Sequence, residues 1–369
     1  MSPLRWLTAS LALATFTCTA LAQNTGKDVT LRVGDPAPAL SVGKWVKGEP
    51  IKALEKGKVY VIECWATWCG PCKVMMPHVT KLQAQYADKG LTVIGVNVWE
   101  RDPSLVEPFI KKMGAKMGYA VAMDNVSPAA APAAPVNEES PLPEGAMSTN
   151  WLKAAGRNGI PCSFVIDREG KIVWIGHPVQ MDLPVKMAIE GKFDQAVLTK
   201  AEEEMEALSK AMQEQLEAKK YDEAEQTLGQ ILAKSPAMGV FLNPMKLEIA
   251  LKKGDYARVH ALARGVLEGE ETRDDSMALG RTVSIMIDDG DAAKLDKKLV
   301  MDLATKLYEV EEKTGWHSEW ILAKAFDINQ QWDQAISHQT KAVDTAPEQY
   351  KPMMQKVLEE IKAKKDAPK

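Results

Sequence analysis

A short apolar run that leads into two closely spaced cysteines constrains this chain most strongly. Residues 58–64 are rich in β-branched and aromatic side chains and are predicted to form a buried strand. The stretch WATWCGPCK follows, and a helical pattern runs from Gly70 to about residue 88. Cys69 and Cys72 therefore lie at a helix start, where two thiols at this spacing can close a small disulfide. A helix N-terminus favours negative charge, so Cys69 is the predicted nucleophile and Cys72 the thiol that resolves the mixed disulfide.

The rest of the first half alternates between strand and helix patterns, which favours an α/β fold with parallel pairing. The predicted elements are a strand (91–98), a helix (103–113), a strand (119–123), a short helix (148–155) and a hairpin (162–167 with 171–175). Residues 127–145 are dense in Pro, Ala and Glu and have no periodic apolar face. They are predicted to form an insertion loop.

Residues 196–369 carry no strand pattern and are dominated by Ala, Leu, Glu and Lys, so an all-helical domain is predicted there. Two stretches share a frame of an aromatic residue, an alanine three residues later and a proline fifteen residues after the aromatic. They contain Tyr221, Ala224 and Pro236 in one copy, and Trp332, Ala335 and Pro347 in the other. The frame resembles the second helix of tetratricopeptide repeats, with an irregular helical bundle as the alternative.

The first residues predict an export signal. Arg5 supplies positive charge, an apolar stretch follows at residues 6–16, and Ala20-Leu21-Ala22 has the small-x-small pattern that signal peptidase cuts. We expect residues 1–22 to be a signal peptide that is cleaved near Ala22, and the mature protein to be periplasmic. The alternative is an uncleaved anchor helix, but the apolar run is short for the about 20 residues that span a bilayer.

Charge and cysteine content exclude several classes of function. The formal net charge of -4 provides no basic stripe for phosphates, so nucleic acid is not an expected partner. Four cysteines remain after the signal peptide, too few for a disulfide scaffold in a chain of 369 residues. There is no second C-x-x-C and no H-x-x-x-H, so neither a metal site nor a cofactor is predicted.

Residues 58–77 resemble the active-site strand and helix of thioredoxin-like proteins, especially the exported TlpA-like and redoxin proteins. The resemblance rests on WATWCGPCK, on Pro77 in the helix, on residues 31–38 (LRVGDPAP) and on Gly159-Ile160-Pro161, which is similar to the family's cis-proline loop. It covers about residues 30–190. The resemblance implies a thioredoxin fold at residues 23–195, with the insertion at 127–145, followed by a tetratricopeptide-like helical domain at 196–369.

The same resemblance implies roles for individual residues. Cys69 and Cys72 would form the redox-active disulfide, opposite a cis Pro161, and the Ile160 backbone would pair with an extended segment of the substrate. The implied substrate-binding surface is made of Trp68, Gly70, Pro71, Ile160 and Pro161.

Glu63 lies six residues before Cys69, where thioredoxins carry a buried acid. A carboxyl group in apolar surroundings tends to have a raised pKa, which suits proton transfer to and from the Cys72 sulfur. The alternative is a strand acid that faces solvent, but Val61 and Ile62 argue for burial.

Cys64 and Cys162 depart from the family pattern. Cys64 stands where an aromatic residue is usual, and Cys162 directly follows the proline of the cis-proline loop. Both are expected to be small core side chains. A second disulfide between them is the alternative hypothesis, which two free buried thiols in the oxidised protein would dismiss.

Together these features predict an exported thiol-disulfide oxidoreductase that reduces protein disulfides. The expected partners are a disulfide-containing substrate protein, an electron donor in the membrane or periplasm, and a protein that binds the helical domain. Disulfide oxidase or isomerase activity and a docking-scaffold role are alternatives, because the residues do not set the direction of electron flow. A peroxidase is disfavoured, because Thr67 lies two residues before Cys69 instead of the three of a T-x-x-C motif.

Overall fold

The structure is a computed structural model that describes residues 29–127, 141–313 and 315–367. The predicted signal peptide, residues 1–22, lies outside the described residues, as does most of the predicted insertion, residues 128–140. The chain divides into two compact units. One contains the residues up to Lys210 together with Ile231–Met238, and the other contains Ala211–Gln230 and Gly239–Lys369.

A mixed β-sheet organises the first unit. Its strands are β1 (Val42–Lys47), β2 (Val59–Trp65), β3 (Leu91–Asn97), β4 (Ala120–Asp124), β5 (Cys162–Ile166) and β6 (Ile172–Gly176). Their order is β1-β4-β3-β2-β5-β6. The central strands β2, β3 and β4 are parallel, whereas β1 pairs with β4, β5 with β2 and β6 with β5 in antiparallel fashion. The predicted hairpin is therefore confirmed as β5 and β6.

Helices cover both faces of this sheet. They are α1 (Gly70–Tyr86), α2 (Val106–Met113), a short π-helix (Ser148–Lys153) and α3 (Asp182–Glu190). The π-helix occupies the place of the helix predicted at residues 148–155. With this sheet order and these helices, the predicted thioredoxin fold is confirmed.

The sequence patterns did not predict β1. Val42–Lys47 has the sequence VGKWVK, in which glycine and two lysines interrupt the apolar alternation. The strand lies at the sheet edge, is half-buried, and pairs with β4 through two irregularities in register. Pairing with β4, which is distant in sequence, therefore decides its conformation more than its own residues do.

The sheet separates two apolar cores. The first core, on the side of α1, α2 and α3, includes Val61, Trp65, Cys72, Met76, Val121 and Val165. The second core, on the side of the π-helix, includes Tyr60, Ile62, Cys64, Ile94, Trp151 and Phe164. Every residue of β2 is buried, as expected for a central strand with both faces covered. Successive residues of β2 alternate between the two cores.

The rest of the described chain is helical. The helices are α4 (Gln195–Glu217), α5 (Tyr221–Lys234), α6 (Gly239–Lys253), α7 (Tyr256–Glu268), α8 (Ser276–Asp289), α9 (Lys297–Val310), α10 (Trp316–Ile328), α11 (Trp332–Thr345) and α12 (Lys351–Asp366). The predicted all-helical character of this part is confirmed. The predicted boundary between residues 195 and 196 coincides with the start of α4 within one residue, and the domain assignment itself stays a prediction.

Helices α6 to α12 pack mainly on near neighbours in sequence. Each contacts the next, and α6 with α8, α7 with α9 and α8 with α10 also touch. Local contacts of this kind are what a stack of helix pairs requires. The framed alanines Ala224 and Ala335 are fully buried, while Tyr221 and Trp332 begin their helices. The tetratricopeptide register stays a prediction that these positions fit.

No helix in the described ranges combines the length and the apolar character that crossing a bilayer demands.

Candidate active site

Cys69 and Cys72 are joined by a disulfide at the start of α1, with their Cα atoms 5.3 Å apart. Cys69 is the N-cap of the helix, and its sulfur accepts a hydrogen bond from the Cys72 backbone N–H at 3.2 Å. Pro71 lies in the first turn, where its missing N–H costs no helical hydrogen bond. Because helix N-terminal N–H groups stabilise negative charge, this position favours the thiolate of Cys69 once the disulfide is reduced.

Both cysteines are buried in the first core, Cys72 completely and Cys69 with 3% of its surface exposed. Trp68, immediately before the pair, is 37% exposed, and Pro71 is also exposed. Trp68 and Pro71 are therefore exposed side chains close to the disulfide in sequence.

Glu100 holds the loop before the cysteines, and the sequence analysis missed it. Its carboxylate accepts hydrogen bonds from the Thr67 backbone N–H (2.9 Å), the Thr67 hydroxyl (2.8 Å) and the Asn97 side-chain amide (2.9 Å). Glu100 follows β3, which runs parallel to β2, and the carboxyl ends of parallel strands meet at one edge of a sheet. An acid two residues beyond the end of the second predicted strand was the available signal.

Trp68 is fixed by the same segment. Its indole N–H donates to the Trp99 carbonyl oxygen at 2.9 Å, and the Arg101 guanidinium lies 4.7 Å from its ring centroid. Trp99 itself has a positive φ of 53°, an uncommon conformation for a bulky residue. The exposed indole is therefore held in one place despite its position on a loop.

The Ile160–Pro161 peptide bond is cis, as predicted. Pro161 directly precedes β5, whose first residue, Cys162, lies opposite Cys64 near the end of β2. Since β2 continues into the loop that carries Cys69, the register brings the cis-proline loop to the same edge of the sheet. Ile160 and Pro161 are half-buried, and Ile160 packs against both cores. Gly70, the remaining predicted surface residue, is half-buried.

Glu63 is 1% exposed, so the alternative of a solvent-facing acid is wrong. It lies two residues from Val61 and two from Trp65 on β2, and both of these face the first core with Cys72. Burial raises the pKa of the Glu63 carboxyl to about 8. The carboxyl group is thus neutral in acid and able to exchange a proton near neutral pH.

Cys64 and Cys162 are both free and buried, so the alternative of a second disulfide is wrong for this structure. They are directly opposite each other in the antiparallel β2–β5 pair, but they face the second core, across the sheet from Cys69 and Cys72. Burial raises the pKa of Cys162 to about 12 and that of Cys64 well above its usual value. Such thiols stay protonated and are poor nucleophiles.

Metal ligands do not gather near these cysteines: within the described ranges, no group of three or more His, Cys, Asp or Glu side chains is placed to hold an ion.

The raised pKa of Glu63 predicts a specific pH dependence of stability. Between pH 4.5 and about 8 the folded protein keeps a proton on Glu63 that the unfolded chain has released. The free energy of unfolding of the wild type, relative to Glu63→Gln, should therefore fall by about 1.4 kcal/mol per pH unit in that window and level off outside it. Urea unfolding of both proteins at pH 4, 6, 8 and 9 measures this. A difference that stays constant with pH would show that Glu63 is not buried as a neutral acid.

The two cores predict unequal reactivity among the four thiols. In folded, reduced protein at pH 8, iodoacetamide should modify Cys69 rapidly and leave Cys64 and Cys162 unmodified, because only thiolates react. Peptide mapping by mass spectrometry reads each site, and the same reaction in guanidinium chloride is the control in which all four are modified. Labelling of Cys64 or Cys162 in the folded protein at the rate of Cys69 would contradict the assignment.

Part of this chain is similar to known proteins. Residues 32–185 match the Redoxin family model. Protein FixW of Rhizobium leguminosarum is 26% identical over 170 residues, which cover 44% of this chain and 69% of FixW. Thiol-disulfide oxidoreductase ResA of Bacillus thuringiensis subsp. konkukian (strain 97-27) is 28% identical over 148 residues, which cover 40% of this chain and 70% of ResA.

One solved structure, a thiol:disulfide interchange protein of the thioredoxin family from Chlorobium tepidum TLS, is 28% identical and covers 43% of this chain and 97% of its own, with a TM-score of 0.32. The residues matched by the family model include Cys69, Cys72, Glu63 and the cis-proline loop. Residues 32–185 of this chain are thus similar to the Redoxin family, and the protein is a thiol-disulfide oxidoreductase.

Proposed function

We propose that this protein is exported to the periplasm and reduces disulfides in other proteins through a dithiol–disulfide cycle of Cys69 and Cys72. The observation that carries the proposal is the disulfide itself, closed between the N-cap of α1 and a buried residue one turn inside the helix. In this arrangement Cys69 follows the exposed Trp68 directly in sequence, whereas Cys72 is fully buried in the first core.

The cycle begins with the reduced pair. The Cys69 thiolate attacks one sulfur of the substrate disulfide, a bond forms between Cys69 and that sulfur, and the other substrate sulfur leaves as a thiolate. Cys72 then loses its proton and attacks the Cys69 sulfur, which releases the second substrate thiolate and closes the Cys69–Cys72 disulfide. Two electrons have passed to the substrate, so a dithiol donor in the membrane or periplasm must reduce the pair again.

Glu63 supports the second attack. It faces the core in which Cys72 is buried, and its pKa of about 8 lies close to neutral pH. In this proposal the Glu63 carboxylate accepts the Cys72 proton, and the protonated acid returns it to a departing thiolate. A group whose pKa is near the working pH can perform both transfers.

Substrate contact would use the exposed rim around Cys69. Trp68 and Pro71 are exposed on one side of the pair, and the half-buried Ile160–Pro161 segment lies at the same sheet edge. An extended segment of the substrate would pair with the Ile160 backbone by strand addition, while Trp68 and Gly70 border the attacked disulfide. The helical domain would bind a further protein.

Export is supported by the pattern of residues 1–22, with cleavage near Ala22. The compartment matters because disulfides persist outside the reducing cytoplasm.

Single cysteine variants test the cycle. Cys69→Ser should abolish disulfide exchange because it removes the nucleophile, whereas Cys72→Ser should accumulate a mixed disulfide with the substrate because nothing resolves it. Cys162→Ala is the matched control, since that thiol faces the second core, and it should keep the wild-type rate. For all three variants, the rate at which a disulfide-bonded peptide is reduced is measured, and mass analysis under non-reducing conditions detects the mixed disulfide. Exchange that persists in Cys69→Ser would overturn the site.

The reduction potential of the pair tests the direction. Equilibration of the mature protein with defined thiol buffers should give a value near the about -270 mV of thioredoxin. A value near the about -120 mV of DsbA would instead support the oxidase or isomerase alternative.

A further inference from the structure

Among the buried polar atoms of the described residues that have no hydrogen-bond partner, four belong to side chains around Glu63. They are Glu63 Oε2, Trp65 Nε1, the Tyr119 hydroxyl and Ser163 Oγ. Buried polar groups in folded proteins are nearly always hydrogen-bonded, to protein or to ordered water, and an unsatisfied one is costly. Several such atoms at one place therefore point to a common partner.

The sheet register and the packing over Gly95 bring the four residues close together. Glu63 on β2 lies between Gly95 on β3 and Ser163 on β5. A Cβ atom at Gly95 would meet the Tyr119 ring at 2.7 Å and Trp65 Nε1 at 3.3 Å. Only glycine at this position lets the two aromatic side chains lie over the strand beside Glu63.

Tyr119 feels the charge of Glu63 without bonding to it directly. The Tyr119 pKa is raised well above its usual value, first by burial and then by the nearby Glu63 carboxylate. The hydroxyl therefore remains protonated, as a donor, throughout the range in which Glu63 titrates. Because no direct hydrogen bond joins the two groups, a bridging water is the natural link.

Other titratable groups around Glu63 do not supply this link. Cys64 and Cys162 also feel its charge, but they project into the second core. Cys72, from α1, is held in the disulfide and carries no proton in the oxidised state. Among these titratable groups, Tyr119 is thus the donor that shares the first core with Glu63.

We propose that Tyr119 is a positioning residue for Glu63. Its hydroxyl donates a hydrogen bond to a buried water that Trp65 Nε1 and Ser163 Oγ also contact, and this water donates a hydrogen bond to the Glu63 carboxylate. This inference rests on the proposed role of Glu63 as the proton acceptor for Cys72. Solvation of the carboxylate makes the ionised state accessible in a core that would otherwise exclude it. Tyr119 keeps its own proton throughout, and the transferred proton moves between Cys72 and Glu63.

The test is a direct titration of Glu63 in the full mature chain. Side-chain ¹³C-labelled glutamate is followed by NMR from pH 5 to pH 10 in the oxidised protein, and the Glu63 signal is assigned by its loss in Glu63→Gln. Tyr119→Phe removes only the hydroxyl and should raise the titration midpoint of Glu63 by about one pH unit, a tenfold change in proton affinity.

Tyr60→Phe is the matched control. Tyr60 is a buried tyrosine on β2 that faces the second core, where its hydroxyl accepts a hydrogen bond from the Glu55 backbone N–H at 3.1 Å. Its removal should leave the Glu63 midpoint unchanged. An unchanged midpoint in Tyr119→Phe would overturn the proposal.

If Tyr119→Phe does not fold, Ser163→Ala decides, since it removes one partner of the bridging water. It should raise the midpoint in the same direction by a smaller amount, and an unmoved midpoint in that variant would equally overturn the proposal. The titration uses no substrate, so the measured midpoint of Glu63 does not depend on the proposed redox cycle. Normal exchange kinetics in Glu63→Gln would refute the proton-transfer role of Glu63 and leave the Tyr119 result intact.

Discussion

The burial of β2 on both faces is the constraint on which the rest of this structure depends. Because side chains alternate along a strand, adjacent residues of β2 enter different cores. Glu63 enters the core that holds the redox pair, and Cys64 enters the opposite one. A shift of β2 by one residue in register would turn each of its side chains to the opposite face of the sheet. Cys64 would then enter the core of the redox pair, and Glu63 would enter the apolar second core. The burial of both sheet faces thus decides which titratable side chain of β2 enters which core.

The parallel pairing of β2 with β3 has a second consequence at the edge where both strands end. The loop that carries Cys69 leaves β2 there, and Glu100 arrives from β3 to accept hydrogen bonds from Thr67. The antiparallel strand β5 begins at the same edge with the cis-proline segment. Three segments far apart in sequence therefore meet around one disulfide, and hydrogen bonds to the Glu100 carboxylate hold the loop that carries Cys69.

Much of the site was open to prediction because its signals are local. Cys69 and Cys72 sit within one helical turn, and Glu63 is on the strand that leads to them, so spacing and apolar context suffice. The cis Ile160–Pro161 peptide bond was predicted from the resemblance to the family's cis-proline loop, and the structure confirms it. The sequence did not predict the roles of Glu100, Tyr119 and Gly95, because these roles arise from contacts between strands. The edge strand β1 was not predicted for the same reason. Its apolar and polar residues alternate only weakly, and its pairing with β4 defines the strand.

The sequence by itself determined that this chain has a redox pair at a helix start, a buried acid before it and a helical second half, because each follows from periodicity and spacing along a continuous segment. The tertiary structure alone decided which side chains share a core. It left Cys64 and Cys162 as facing but unreactive thiols, and it brought Tyr119 across Gly95 toward Glu63. Register between strands fixes such neighbours, and register depends on the burial of the whole sheet rather than on any one stretch of residues.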